Sequence, residues 1–168
     1  MKKITLIALL AAGLMVAQEG KAQLKIGYIS LGEVVTAMPE FKKADTSLRE
    51  YQEAMQQKYF EMINDFNNKD SLLSSADTLK YNKAQLEVKR KELGELYLKI
   101  QGWNQEASKS IQQKEEDLIA PIQKKAMDAI QAVAKEAGYT YVLNKQDLFV
   151  FPPADDLLPL VKKKLNLK

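Results

Sequence analysis

The sequence of 168 residues contains neither cysteine nor histidine. Without cysteine, no disulfide framework can form. Without histidine, the chain lacks the side chain that proteins use most often as a general base and as a metal ligand. No glycine-rich phosphate loop is present either. We therefore predict no catalytic residues, no metal ligands and no cofactor, and an enzyme is the least favoured class of function.

Glycine and proline are absent from residues 40–70, where apolar side chains recur in steps of three and four residues. This is the spacing of a helix that buries one face, here called the seam, against another helix. The polar stretch Ser71–Thr78, "SLLSSADT", predicts a chain reversal. The spacing resumes at Leu79 and continues in sevens to Ala107, which predicts a return helix. The seam of the first arm comprises Phe41, Ala44, Leu48, Tyr51, Met55, Tyr59, Met62 and Phe66.

The two ends of the chain contain β-forming segments. Leu24–Ser30 predicts a strand, and its last residue can cap a short helix that ends before Pro39. We expect Pro121 to kink or interrupt the return arm. Further on, "YTYVLNK" and "DLFVF" predict two adjacent strands, and a last helix begins at Pro159. Neither end makes a viable sheet alone, so strands from both ends must meet.

These patterns predict an α+β fold that is mainly α. Residues 23–38 and 118–168 form a small β-containing body, and residues 39–117 form a long antiparallel α-helical coiled-coil hairpin with its tip near 71–78. Each arm of the hairpin extends for roughly 45 Å or more at 1.5 Å per residue. The hairpin therefore projects away from the body.

The N-terminus has the regions of a secretory signal peptide. The basic "MKK" precedes the apolar run "ITLIALLAAGLMVA", and small residues stand near Ala22. We predict that residues 1–22 are removed and that the protein is exported and soluble. The apolar run is too short for a dependable spanning helix, and without a nearby cysteine we expect no lipid anchor. A buried N-terminal helix is the less favoured alternative.

The remaining chain is nearly neutral. Removal of residues 1–22 takes away three lysines and one glutamate, which leaves 22 basic and 21 acidic residues. Residues 40–116 are balanced as well, with 13 basic and 14 acidic side chains. Binding to nucleic acid requires a basic face or stripe, so we predict no nucleic-acid partner.

The first arm carries more apolar surface than one partner helix requires. Around Tyr59, apolar side chains occupy about half of the helix circumference. Burying such a side chain is worth about 1.5–3 kcal/mol, so this surface demands a partner. Either a third helix or a neighbouring subunit covers it, or it binds apolar segments of other proteins, which suits flexible methionine side chains. The candidate binding residues are Met55, Phe60, Met62, Ile63, Phe66, Leu72 and Leu73.

The return arm contains a short basic run and the only tryptophan of the chain. Lys89, Arg90 and Lys91 are candidate contacts for phosphate or lipid headgroups, but such short basic runs are more often only solubilising. Trp103 lies off the main seam, and we expect it to pack against a neighbouring subunit.

Both ends of the chain carry motifs of a known family. The stretches "KIGYISLGEVVTAMPEFKKADTSL", "AVAKEAGYTYVLNK" and "DLFVF", followed by "DDLLPLVKKKL", resemble the Skp/OmpH periplasmic chaperones. The resemblance covers essentially all of residues 23–168. It implies a homotrimer in which strands from three subunits build a trimerising body, while three hairpins project like tentacles around a cavity.

The resemblance also implies a function. Members of this family are ATP-independent holdases, which shield unfolded outer-membrane β-barrel proteins, their clients, in the periplasm. Lipopolysaccharide or an anionic membrane surface is a further partner to consider, with Lys89, Arg90 and Lys91 as candidates. The alternative is a structural cell-envelope coiled-coil protein without clients, whose broad apolar stripe is wholly buried in the oligomer.

Overall fold

The computed structural model describes residues 24–74 and 80–167. The predicted signal peptide, residues 1–22, lies outside the described residues, as does the second half of the predicted tip, residues 75–78. The described elements are strands β1 (Ile26–Ile29) and β2 (Tyr141–Asn144), helices α1 (Leu31–Ala37), α2 (Pro39–Ser74), α3 (Lys83–Glu136) and α4 (Leu158–Lys164), and two short 3-10 helices, Lys145–Asp147 and Pro153–Asp155.

The start of the fold follows the predicted capping pattern. Ser30 caps α1, because its hydroxyl accepts a hydrogen bond from the backbone N–H of Glu33 at 3.3 Å. Met38 then takes extended backbone angles, which is the preference of a residue that precedes proline. Pro39 begins α2, so the predicted break between the two helices is confirmed.

The two long helices form the predicted antiparallel hairpin. Phe66, near the end of α2, contacts Tyr97 in the first half of α3, with ring centroids 6.0 Å apart. Glu40, at the start of α2, pairs instead with Lys125 in the last part of α3. At 1.5 Å per residue, the 36 residues of α2 and the 54 residues of α3 extend for roughly 54 Å and 81 Å.

Of the two predicted effects of Pro121, a kink or an interruption, the interruption is wrong, because α3 is helical from Lys83 to Glu136. Proline removes one backbone donor, which leaves the carbonyl of Asp117 without its helical partner. Pro121 itself is exposed, so water can bond that carbonyl, and the next turn is held by the buried side chains of Ile122 and Ala126. Core packing therefore carries the helix through the proline.

The strands from the two ends of the chain meet, as predicted. β1 and β2 pair in parallel, with Ile26 opposite Tyr141 and Ile29 opposite Asn144. On its other side, β1 forms a single bridge between Tyr28 and Asp156. β1 therefore lies inside the small sheet, and β2 forms its edge.

The second predicted C-terminal strand, "DLFVF", does not form among the described residues. After β2 the side chain of Asn144 accepts a bond from the N–H of Gln146, which turns the chain into a 3-10 helix. Lys145 is also held by Glu33 across the fold, with 3.1 Å between Nζ and Oε1. The turn directs the following segment away from β2, so a hairpin cannot close.

The core lies in the body, between the sheet, α1, α4 and the last third of α3. Gly27 of β1 marks its tightest point, because a Cβ atom there would lie 2.2 Å from Leu157 Cδ1. The largest fully buried side chains belong to Met38, Leu157, Val34 and Val161.

Candidate functional site

The seam of the hairpin buries two large side chains away from the body. Met62 of α2 and Trp103 of α3 have exposed fractions of 8% and 4%. Lys58 lies over the Trp103 ring, with Nζ 5.2 Å from its centroid. The prediction that Trp103 packs against a neighbouring subunit is therefore wrong: the tryptophan is enclosed by its own hairpin, because it follows Ile100 by three residues and shares the inner face of α3.

The predicted binding residues do not share one environment. Phe60 is 55% exposed and lies about 200° around α2 from the buried Met62, which points it away from α3. Leu72 is about half exposed. Met55, Ile63, Phe66 and Leu73 are half-buried. On the first arm, the Phe60 side chain therefore points into solvent, whereas the half-buried side chains expose only part of their surface.

The return arm adds exposed apolar side chains that the sequence analysis did not propose as binding residues. Leu98 is 67% exposed and Val88 and Tyr97 are about half exposed. Leu98 is placed two residues before the seam residue Ile100, so it lies roughly 200° away on the outer face of α3. A search for apolar residues outside the heptad positions would have found it. Phe60 and Leu98 are therefore apolar contacts on the outer sides of the two arms.

The basic residues Lys89, Arg90 and Lys91 do not converge on one point. Successive helical residues point about 100° apart. Lys89 lies over the Tyr81 ring, with Nζ 4.8 Å from the centroid, whereas Lys91 pairs loosely with Glu95 at 3.9 Å. The three side chains therefore do not build a shared pocket for an anion.

The body carries a second apolar surface, beside the edge strand β2. A groove of about 840 Å³ runs between the start of α1, the end of α3 and β2. Its apolar lining includes Met127, Ile130, Ala134, Val142 and Leu143, and Lys135 is the only charged residue among the described residues that line it. Sequence reasoning did not find this groove, because it depends on how strands and helices from distant segments pack.

A short distance along the chain from this groove, the segment Leu148–Phe151 exposes most of its apolar side chains, although Leu148 is half-buried. Phe149 is fully exposed and Val150 is 85% exposed. The segment is fixed at both ends, because Lys145 pairs with Glu33 and the Phe151 ring contacts Tyr28, with centroids 5.2 Å apart. Sequence reasoning recognised its β-forming composition but not its exposure.

Ion pairs join different elements of the body, and one of them also fastens the start of α2 to the body. The Lys125 ammonium donates a hydrogen bond to the Glu40 carboxylate, and this bond holds the pKa of Glu40 below its ordinary value of 4.5. The corresponding bond to Glu33 raises the pKa of Lys145. Lys164 of α4 pairs with a carboxylate of α3, that of Glu136, at 2.6 Å.

Residues 24–74 and 80–167 were also compared with the requirements for a membrane-spanning helix and for a metal site. No helix in these ranges is long and apolar enough to cross a membrane. No group of three acidic side chains in the same ranges is arranged to hold a metal ion.

Comparison with known proteins agrees with this architecture. A solved structure from Caulobacter crescentus CB15, provisionally assigned as an OmpH-like outer membrane chaperone, has the same fold, with a TM-score of 0.70 and 18% sequence identity. The similarity covers 88% of this chain and 86% of that chain. No curated protein matches significantly. The sequence matches the family described as outer membrane protein (OmpH-like) over residues 25–165, and the chain therefore belongs to the OmpH-like family.

Proposed function

We propose that this protein is an ATP-independent holdase chaperone that binds unfolded outer-membrane β-barrel proteins in the periplasm. Residues 1–22 serve as the export signal. Three copies assemble through a body of residues 23–38 and 118–168, and their hairpins, residues 39–117, enclose a cavity for the client. Family membership and the chaperone assignment of the Caulobacter structure support this role.

The observation that carries the proposal is the exposure of large apolar side chains on both arms of the hairpin. Phe60 and Leu98 are more than half exposed, and Val88 and Tyr97 add apolar side chains that are about half exposed. An unfolded membrane protein offers many apolar segments but no fixed shape. Scattered apolar contacts, each worth at most about 1.5–3 kcal/mol, suit such a client, since none requires a defined pocket.

The nearly neutral charge of the hairpin indicates that clients bind mainly through apolar contacts and not through electrostatic attraction. Residues 40–116 carry 13 basic and 14 acidic side chains, so no strong field of one sign attracts a client. Some of these charges are also paired within one helix, such as Arg49 with Asp45 and Lys69 with Asp65. The chain also lacks a phosphate loop, so we propose that the client leaves by competition with insertion into the membrane rather than by ATP hydrolysis.

The proposal is tested by light scattering from an unfolded outer-membrane β-barrel protein that is diluted out of denaturant. The chain beginning at Gln23 should suppress the scattering without added nucleotide. The double variant Phe60→Ser with Leu98→Ser should require about tenfold more chain for the same suppression, which corresponds to a loss of about 1.4 kcal/mol. Both side chains are exposed, so the hairpin should keep its helical content by circular dichroism.

The matched control is Leu160→Ser, which removes a partly exposed leucine from α4 in the body. It should suppress scattering as the unsubstituted chain does. If the double variant performs as well as this control, the outer faces of the arms do not bind clients. If the unsubstituted chain forms a stable oligomer but leaves aggregation unchanged, a structural coiled-coil role replaces the chaperone role.

A further inference from the structure

The hairpin encloses the single tryptophan of the chain under a lysine side chain. Trp103 of α3 is 4% exposed, and the ammonium of Lys58 reaches across from α2 to lie over its ring. Met62, one turn after Lys58, is buried on the same face of α2. From this arrangement we infer that Lys58 is a movable lid over a further client-binding site, formed by Trp103 and Met62, which takes segments with a carboxylate beside an apolar side chain. The inference rests on the proposed function, because it names the client segments that the hairpin prefers.

Part of the cover over Trp103 is a side chain and not backbone. Two helices packed side by side cover one another along a single line, and tryptophan is so large that it is rarely enclosed completely. Lys58 supplies additional cover, because the apolar stem of a lysine packs against apolar surface while its ammonium stays in water. Lys58 itself is exposed. Such a side chain can move away from the ring without any change in the two helices.

The ammonium of Lys58 has no carboxylate partner among the described residues. The positions four residues before and after it are apolar, whereas Lys69 has Asp65 at that spacing. Glu61, three residues after Lys58, accepts a hydrogen bond from Gln57 instead, with 3.1 Å between Oε1 and Nε2. The indole ring, 5.2 Å from Nζ to its centroid, is therefore the contact that holds the ammonium.

A client carboxylate can replace the ring as the partner of this ammonium at little cost. A cation–π contact of an exposed lysine and an exposed ion pair are of similar strength. When the carboxylate draws Lys58 aside, the indole and the Met62 side chain become accessible to the neighbouring apolar side chain of the client. An aromatic side chain fits best, because aromatic rings stack on an indole and a methionine sulfur also contacts rings favourably. The carboxylate therefore opens the site, and the apolar side chain fills it.

Recognition at this site differs from the proposed contacts at Phe60 and Leu98. Those two side chains are exposed in the free chain and accept any apolar segment. Trp103 becomes available only to a segment that carries a negative charge next to its apolar residue. Because residues 40–116 carry 13 basic and 14 acidic side chains, the hairpin as a whole does not select for charge. The selection at Trp103 therefore comes from one lysine.

Fluorescence of Trp103 tests the site directly, because the chain has one tryptophan. The probes are two blocked pentapeptides, one that alternates aspartate with phenylalanine and one that alternates asparagine with phenylalanine. The aspartate peptide should change the Trp103 emission and should bind about fivefold more tightly than the asparagine peptide, the ratio that corresponds to one exposed ion pair. This preference should fade in concentrated salt, which screens exposed charges.

Two substitutions of Lys58 separate the effect of its stem from that of its charge. Lys58→Met keeps an apolar stem over the ring and removes the ammonium, so Trp103 should stay shielded from acrylamide while the two peptides bind equally. Lys58→Ala removes the stem as well, so quenching of Trp103 by acrylamide should rise toward that of an exposed tryptophan. The matched control is Lys114→Met, which removes a lysine that lies over Tyr51 elsewhere on the hairpin, with Nζ 5.9 Å from the ring centroid. This control should keep the preference for the aspartate peptide.

Three results would overturn the inference: equal binding of the two peptides to the unsubstituted chain, acrylamide quenching that Lys58→Ala leaves unchanged, or loss of the preference in Lys114→Met. The first result uses the unsubstituted chain, so it does not depend on how the variants fold. Each of them leaves the proposed chaperone function intact, because that function is measured separately by suppression of client aggregation. A chain that prefers the aspartate peptide at Trp103 but does not suppress aggregation would instead support the site and contradict the chaperone function.

Discussion

The body and the hairpin bury their apolar side chains to different degrees. In the body, Val34, Leu157 and Val161 have no exposed surface. In the described parts of the hairpin beyond its root, residues 45–74 and 80–117, only Met62 and Trp103 are buried. Two helices side by side cover one another along a single line, whereas the body surrounds its core with a sheet and three helices. The fold is therefore stabilised mainly in the body, and the hairpin keeps apolar surface available for contacts.

A matched pair of leucine substitutions, one in each region, should give the largest difference in the free energy of unfolding. Leu157→Ala should lower the free energy of unfolding by about 2–5 kcal/mol, because it leaves a cavity where the leucine is fully enclosed. Leu98→Ala removes a mostly exposed side chain and should change stability by less than about 0.5 kcal/mol. Urea unfolding followed by circular dichroism, at one protein concentration, measures both values. Equal losses would show that the hairpin contributes as much to stability as the body.

A pair of glycine substitutions should change stability in opposite directions. Gly27→Ala places a Cβ atom 2.2 Å from Leu157 Cδ1 and 2.7 Å from the Tyr139 ring, so overpacking should cost about 1–3 kcal/mol. Gly102 lies inside α3 with no atom within 4 Å of the position of a Cβ, and Gly102→Ala should stabilise the helix by about 1 kcal/mol. Thermal unfolding of both variants checks the signs. A loss of stability at Gly102 would mean that a second chain approaches this face closely.

The same contrast explains how much the sequence could predict. The hairpin follows from local spacing, since seam residues such as Met55 and Met62 recur at the period of the helix itself. The prediction for Trp103 was wrong because residues three and four positions after a seam residue lie on the same helix face as that residue. Packing alone decides which of them is enclosed by the hairpin. The pairing of β1 with β2 followed from the need of isolated strands for partners.

The misprediction at Leu148–Phe151 has a different cause. Its composition favours a strand, but a strand also needs a neighbouring edge. The cap at Asn144 and the ion pair of Lys145 turn the segment away from β2 of its own chain. The groove could not be predicted from sequence, because its walls come from segments about one hundred residues apart.

Acid should weaken the junction between the hairpin and the body by a small amount. The pKa of Glu40 is lowered by its bond with Lys125, so this pair contributes stability above the ordinary value of 4.5 and loses it as the pH falls through the pKa of the folded state. Glu40→Gln should therefore be slightly less stable than the unsubstituted chain near neutral pH. The gap should close in acid, and both side chains are partly exposed, which keeps it small.

Urea unfolding at neutral pH and well below pH 4.5 measures this gap. Asp128→Asn is the control, because Asp128 pairs with Lys124 within α3 and joins no two elements. A gap for Glu40→Gln that persists unchanged in acid would show that packing around the side chain, and not its charge, fastens the junction.

The smallest effect is expected from the basic residues of the hairpin. A lysine or arginine near an anionic membrane contributes about 1 kcal/mol, but Lys89, Arg90 and Lys91 point about 100° apart, so only one of them can face a surface directly. Replacing all three by alanine should weaken binding to vesicles that contain an anionic lipid by about fivefold, with no change for neutral vesicles. Cosedimentation with both kinds of vesicle measures this loss. A loss of a hundredfold or more would mean that the three side chains act together, which requires the hairpin to rearrange locally around Lys89, because its ammonium now lies over the Tyr81 ring.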